Sequence, residues 1–364
     1  MRLVVVIFLG FVSLPALADE KFDAIWSRAS LYSNPDNPVI QGFDLSGRAQ
    51  AEWVNVDGDQ GNYDDTLWRR FRFGFKAGLA NDLVIHVEAD FDFNEKIASS
   101  YERLTEAYIG WFPEKTVSLK VLKQSAGFTL DGFTSSKKLL TPERNNLTNN
   151  LWYTDEYFSG LTLQVEFAPG WTGKAGIFSS DGSAQISTLD AGYFTYLSAG
   201  YEFQPTAGID RLSLHGFYVH NDEDDNAATP ELSDVFSLIA QWQGGGWGVW
   251  ADLSLGRGYG EQSDLMGVVV MPFYDFSTHH QVVTRYTWLI SDDDNGVSLG
   301  NYENEIVTGK GDEYREIFVG YNWFFYGHKF KWQTGLQFAE MDDDDIGDGE
   351  YDGWGLTTAI RIYW

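Results

Sequence analysis

The 364-residue chain contains no cysteine, which excludes a disulfide framework, a thiol nucleophile and any cysteine-ligated metal. Proline is scarce, at 9 residues, and no Pro/Ser-rich stretch marks a linker, so one large unit is expected rather than two domains. Basic residues are also in short supply. The 25 Lys and Arg stand against 53 Asp and Glu, a formal net charge of −28, the wrong sign for a nucleic-acid partner. Beyond the N-terminus no apolar run approaches the roughly twenty residues of a transmembrane helix. Against these absences stand 14 Trp, 19 Tyr and 26 Phe. A soluble protein has to bury that surface, whereas a membrane β-barrel leaves it facing lipid and gathers it at the two interfaces.

The N-terminus reads as an export signal: Arg2, an apolar core over residues 3–14, and the small-residue pattern Ala16-Leu17-Ala18. Residues 1–18 are therefore expected to be removed, leaving 19–41 as a periplasmic segment and 42–364 as the barrel. A buried N-terminal helix is the alternative.

Alternation at period two dominates the rest. At the C-terminal end Trp354, Leu356, Thr358, Ile360, Ile362 and Trp364 share one face, and Thr357, Ala359, Arg361 and Tyr363 the other. The same phasing sets Leu45, Ala49 and Ala51 outward against Asp44, Ser46, Arg48, Gln50 and Glu52. It likewise sets Ile85, Val87 and Ala89 against His86, Glu88 and Asp90. Carried through the chain, this predicts sixteen strands in an all-β transmembrane antiparallel barrel. Short turns alternate with longer loops at 57–66, 94–103, 124–157, 179–192, 220–234, 256–264, 291–313 and 340–352. In such barrels the short turns are periplasmic and the long loops extracellular. A soluble β-sandwich is the alternative, but its second core would have to form from faces this polar.

Those eight loops hold 35 of the 53 acids and only 7 basic residues. The acidity thus belongs to one rim, and the wall is close to neutral. The plain reading is a hydrated, self-repelling rim. The chemical reading is weak Ca²⁺ or Mg²⁺ binding, for instance at Asp342, Asp343, Asp344 and Asp345, although no loop has the ligand spacing of a dedicated calcium site.

Loop 124–157 is too apolar to remain in water, with Phe128, Leu130, Phe133, Leu139 and Leu140. Folding inward would bury those groups and bring Lys137, Lys138, Glu143 and Arg144 into the lumen; an outward flap is the alternative. On the wall, Arg48, Arg70, Arg72, Lys76 and Lys120 are expected inward, beside Glu88, Asp90 and Glu106. Lys174, Arg285, Lys331 and Arg361 are expected there too. A turn about Ala80 would set Arg72 opposite Glu88 and Arg70 opposite Asp90. Arg69 is expected outward, at the lipid headgroups.

Several segments resemble one family. They are Gly47-Arg48, Trp68-Arg69-Arg70-Phe71-Arg72-Phe73-Gly74-Phe75-Lys76, Leu104-Thr105-Glu106-Ala107-Tyr108-Ile109-Gly110-Trp111, and the run from Thr134 to Arg144. All are similar to the phosphate-selective porin O and P family, over roughly residues 42–150. The resemblance implies an outer-membrane diffusion channel of sixteen strands, usually a homotrimer, set in lipid and lipopolysaccharide, with basic side chains along a path for small hydrophilic anions such as phosphate. It implies no cofactor. The run Gln124-Ser125-Ala126-Gly127-Phe128 departs from the family pattern after Lys123, and the mixed inward charges predict weak charge selectivity. An adhesin or cation-binding surface protein and a barrel enzyme are the rival readings. No catalytic spacing appears, and His86 with Glu88 reads as pore wall.

Overall fold

A computed structural model describes residues 15–94, 100–153, 156–187, 190–292, 296–343 and 348–364. A helix, α1 (Pro15–Trp26), leads through a short strand, β1 (Ser30–Ser33), into β2 (Ile40–Gly58), β3 (Gly61–Leu79), β4 (Leu83–Phe91), β5 (Tyr101–Glu114) and β6 (Val117–Ser125). Two short helices follow, α2 (Leu130–Phe133) and α3 (Asn146–Leu151). Next come β7 (Tyr157–Ala168), β8 (Trp171–Ser179), β9 (Tyr193–Glu202), β10 (Arg211–Asn221), β11 (Leu232–Gly244) and β12 (Trp247–Gly258). The chain ends with β13 (Leu265–Ser277), β14 (His280–Ser291), the two-residue strands β15 (Val297–Ser298) and β16 (Lys310–Gly311), then β17 (Glu313–Tyr326), β18 (Phe330–Asp342) and β19 (Tyr351–Tyr363).

Sixteen of these strands, all but β1, β15 and β16, pair antiparallel with their neighbours. β19 returns to β2, with Arg361 opposite Gln50 and Tyr363 opposite Arg48. Closure satisfies every edge, the condition for strands to cross lipid. The alternation sorts the faces. Along β17, Tyr314, Glu316 and Phe318 are buried inside, while Ile317 and Val319 are 55% and 47% exposed on the outer wall. β1 pairs with the start of β2 where β19 has already ended, covering an edge that would otherwise be open at the mouth. α1 lies beside it: Trp26 Nε1 donates to the Tyr363 carbonyl at 2.6 Å, and Phe22 packs on Tyr326 and Phe330. This helix runs across the expected cleavage point after Ala18.

Three local expectations are corrected. Residues 57–66 are not a loop: β2 and β3 pair continuously out to Gly58 opposite Gly61, giving the longest hairpin of the barrel. The β3–β4 turn centres on Asn81, and Asn81 and Asp82 both sit at φ +62°, the left-handed region in which Asn and Asp are enriched. Moving the centre one residue from Ala80 shifts the register by two, so Arg72 faces Asp90, and Gly74 faces Glu88. Finally, a β-bulge puts one extra residue, Arg69, on β3 between the pairs Gln50–Arg70 and Ala51–Trp68. A bulge re-aims its side chain, and Arg69 turns into the lumen.

The inner wall is not uniformly polar. Phe194, Phe217, Val235, Ile239, Val269 and Leu289 form an apolar arc from β9 to β14, and with the connection between β6 and β7 they build the main buried cluster.

Candidate functional site

The β6–β7 connection, over its described residues 126–153 and 156, lies inside the barrel against that arc. Leu147 of α3 packs where Gly267 leaves room, and Leu151 where Gly256 does: a Cβ at either glycine would come within 2.5 Å of the leucine. Asn145 caps α3 by accepting from the Thr148 amide at 2.7 Å. The Leu130 amide donates to Asp252 on β12 at 2.7 Å, and Asp252 also accepts from Ser237 and Ser254. Buried Asp131 accepts from both nitrogens of Asn145, at 2.8 and 2.7 Å, while burial pushes its carboxyl pKa up.

Beyond α2 the connection crosses the lumen, and inward polar and basic side chains hold it. Lys331 donates to the Leu139 carbonyl at 2.5 Å, Asn322 to that of Leu140 at 2.8 Å, and Arg361 to that of Pro142. Arg285 donates to Thr141 Oγ1 at 3.0 Å and forms a two-point pair with Glu316 at 2.7 and 3.1 Å. Arg48 donates to Ser136 Oγ at 2.6 Å and to Glu88 at 3.1 Å.

A second connection, between β14 and β17, also enters the barrel. Its described residues, 296–312, include buried Val297, Leu299, Tyr302 and Val307. Ser298 exchanges hydrogen bonds with Asn146 and Asn150 of the first loop, and Tyr302 donates to Glu52 at 2.7 Å. The sequence reading missed this insertion, although 291–313 carries the same signal that singled out 124–157, apolar residues in a connection otherwise too polar to hold them. The two loops together fill the side of the lumen toward β2 and β11–β19.

The expected site residues divide accordingly. Arg72 donates to Asp90 at 2.9 Å, Tyr157 Oη at 2.6 Å and Glu156 at 3.5 Å. Arg70 donates to Gln50 at 3.1 Å and has no carboxylate partner among the described residues. Arg144 stacks on Trp152 at 4.6 Å and lies 3.6 Å from Glu156. Burial raises the Glu156 carboxyl, but Arg144 and Arg72 outweigh it and hold the group well below the carboxylate range. Lys76 and Lys138 are exposed. Lys137 lies 5.2 Å over the Tyr363 ring, and burial lowers its ammonium pKa to about 8. On the rim, Asp342 faces Arg315 at 3.6 Å and Asp343 accepts from the Gly349 amide at 2.9 Å, while Asp344 and Asp345 fall outside the described residues. Among the described residues no three acidic or histidine side chains are grouped to hold a metal ion.

A cavity of about 300 Å³ remains between the first loop and the opposite wall, bounded by Glu106, Lys174, Tyr196, Ser198 and His215 on one side and Gly127, Phe133 and Ser135 on the other. A closed sixteen-stranded barrel with a lipid-facing apolar exterior, narrowed from within by its own loops, defines an outer-membrane channel for small solutes. The family model for phosphate-selective porin O and P matches residues 43–240. The chain belongs to the phosphate-selective porin O and P family. No curated protein matches the sequence. Among solved structures it is similar to an anion-selective porin from Comamonas acidovorans, at 13% identity over 88% of this chain and 99% of that one, TM-score 0.64. It is also similar to Salmonella typhi OmpF, at 15% identity over 92% and 100%, TM-score 0.63. For the outer membrane channel DcaP of Acinetobacter baumannii the identity is 11% over 89% and 97%, TM-score 0.58. At these identities the likeness is one of fold. Family and fold point to a channel rather than an enzyme.

Proposed function

We propose that the protein is a passive diffusion channel with a mild preference for anions, narrowed by the connection 126–156. The observation that carries this reading is a difference in pairing between inward arginines and lysines. Arg48, Arg72, Arg285 and Arg361 each meet a carboxylate. Lys174 on the cavity wall rests on Tyr196, while Lys120 and Lys137 rest on Tyr108 and Tyr363, and none of the three has a carboxylate partner among the described residues. A cation over an aromatic face is attracted by the ring, and positive groups along the passage attract anions.

The chain is exported through a signal peptide comprising residues 1–18, and the protein works as a homotrimer in lipid and lipopolysaccharide. The rim opposite α1 faces outward, so the acidic loops meet the medium. Phosphate is one candidate permeant, in keeping with the family. Planar-bilayer recordings with salt gradients test the reading: reversal potentials should favour chloride over potassium by a small factor. No conductance from the refolded chain, or a clear cation preference, would refute it. Crosslinking and native mass measurement test the trimer.

A further inference from the structure

Two charged groups that line the cavity, Glu106 on β5 and Lys174 on β8, and a third on β6 between those strands, Lys120, have no ion-pair partner among the described residues. Glu106 lines the cavity, and its Oε2 accepts no hydrogen bond among the described residues, an arrangement that costs stability. The Lys120 ammonium sits 4.4 Å over Tyr108, and that of Lys174 sits 4.8 Å over Tyr196. Strand register brings them to one part of the wall. Lys120 is paired across to Gly110 on β5 and to Thr162 on β7, and Lys174 to Gln164 on β7 and Ser198 on β9. Glu106 lies within a β-bulge, where Thr105 and Glu106 together oppose Glu88 between the pairs Val87–Ala107 and Ala89–Leu104. Bulges recur where a side chain is re-aimed for function.

The charges narrow the permeant. A simple anion meets Lys174 but is repelled by Glu106. A simple cation meets Glu106 but is repelled by Lys174. A small molecule with a carboxylate and an ammonium on adjacent carbons answers both wall charges.

Resting on the channel reading above, we propose that this cavity is a transit site for small amino acids, the carboxylate facing Lys174 and the ammonium facing Glu106. The cavity's volume of about 300 Å³ lies at the lower end of small-molecule sites, which suits a permeant of few atoms and loose retention.

The test is swelling of vesicles containing the refolded full-length chain in alanine, sodium lactate or arabinose, with each rate normalised to arabinose. In Glu106→Gln, alanine entry should fall several-fold while lactate entry rises. Glu106→Asp should recover most of the alanine rate. Lys174→Gln should slow alanine and lactate together. General electrostatics makes a different prediction for Glu106→Gln: lactate speeds up and alanine, carrying no net charge, does not change. Unchanged or faster alanine entry therefore overturns the amino-acid site while leaving the channel intact. If arabinose itself does not enter wild-type vesicles, the channel reading falls and the transit site with it.

Discussion

Arg69 and Glu143 meet through two parallel hydrogen bonds, Nε to Oε1 at 2.9 Å and Nη2 to Oε2 at 3.0 Å. The pair joins a bulged wall residue to the tip of the first inward loop. Asn301 of the second loop donates to the same carboxylate at 2.7 Å, so one side chain ties both loops to β3. Burial raises the Glu143 carboxyl, and the guanidiniums of Arg69, Arg70 and Arg361 reverse that and keep it ionised.

Removing that charge should release the loops without unfolding the barrel. Glu143→Gln is expected to cost about 2–3 kcal/mol locally, the scale of charge-assisted hydrogen bonds. Single-channel records should show higher conductance with added flicker, while the folded band in unheated electrophoresis persists. A quiet, wild-type trace would show that the pair does not hold the loops.

Seating of α3 depends on an absent side chain. In Gly267→Ala the new Cβ would lie 2.5 Å from Leu147 and 2.7 Å from the Trp288 carbonyl. The backbone contact cannot give way easily, so α3 should be pushed into the lumen at a cost of about 1–3 kcal/mol. Conductance should fall relative to wild type. An equal or larger value would argue against this packing.

Lys137 gives the channel a pH dependence. Its ammonium is lowered to about 8 by burial, with nearby Arg48 acting in the same direction. A lysine with a lowered pKa is charged below that value and neutral above it, so anion preference should weaken as pH rises from 7 to 9. Reversal potentials measured over that range should flatten in Lys137→Gln. Retention of the full pH dependence in that variant would place the titrating group elsewhere.

The second loop should matter as much as the first. Replacing residues 297–311 with a short Gly-Ser linker removes Tyr302 from Glu52 and Val297 and Leu299 from the lumen. Larger conductance and faster arabinose entry are expected. Unchanged flux would mean that the passage does not run past this loop.

Much of the candidate site was written in residue type and phase. Alternation placed Arg48, Arg72, Glu88 and Arg361 inside, because side chains on a strand point to opposite faces at every step. Pairing was less legible. Whether Arg72 meets Glu88 or Asp90 turned on a one-residue choice of turn centre, and Arg69 broke its phase because a bulge does not show in a pattern of alternating residues. The loop 291–313 went unread because its acids masked Val297, Leu299 and Val307.

The amino-acid order by itself determined the class of architecture. An export-like start, no helix-length apolar run past it, sixteen alternating segments and abundant aromatics allow few structures other than a closed membrane barrel, since backbone polar groups in lipid have to be satisfied within the fold. The tertiary structure decided which charges cancel. Arg48 and Glu88 are 40 positions apart, and Glu52 and Arg361 are 309 apart. Their meeting depends on barrel closure and register, and so does the placing of Glu106 and Lys174 on the wall of the open gap, without an ion-pair partner among the described residues.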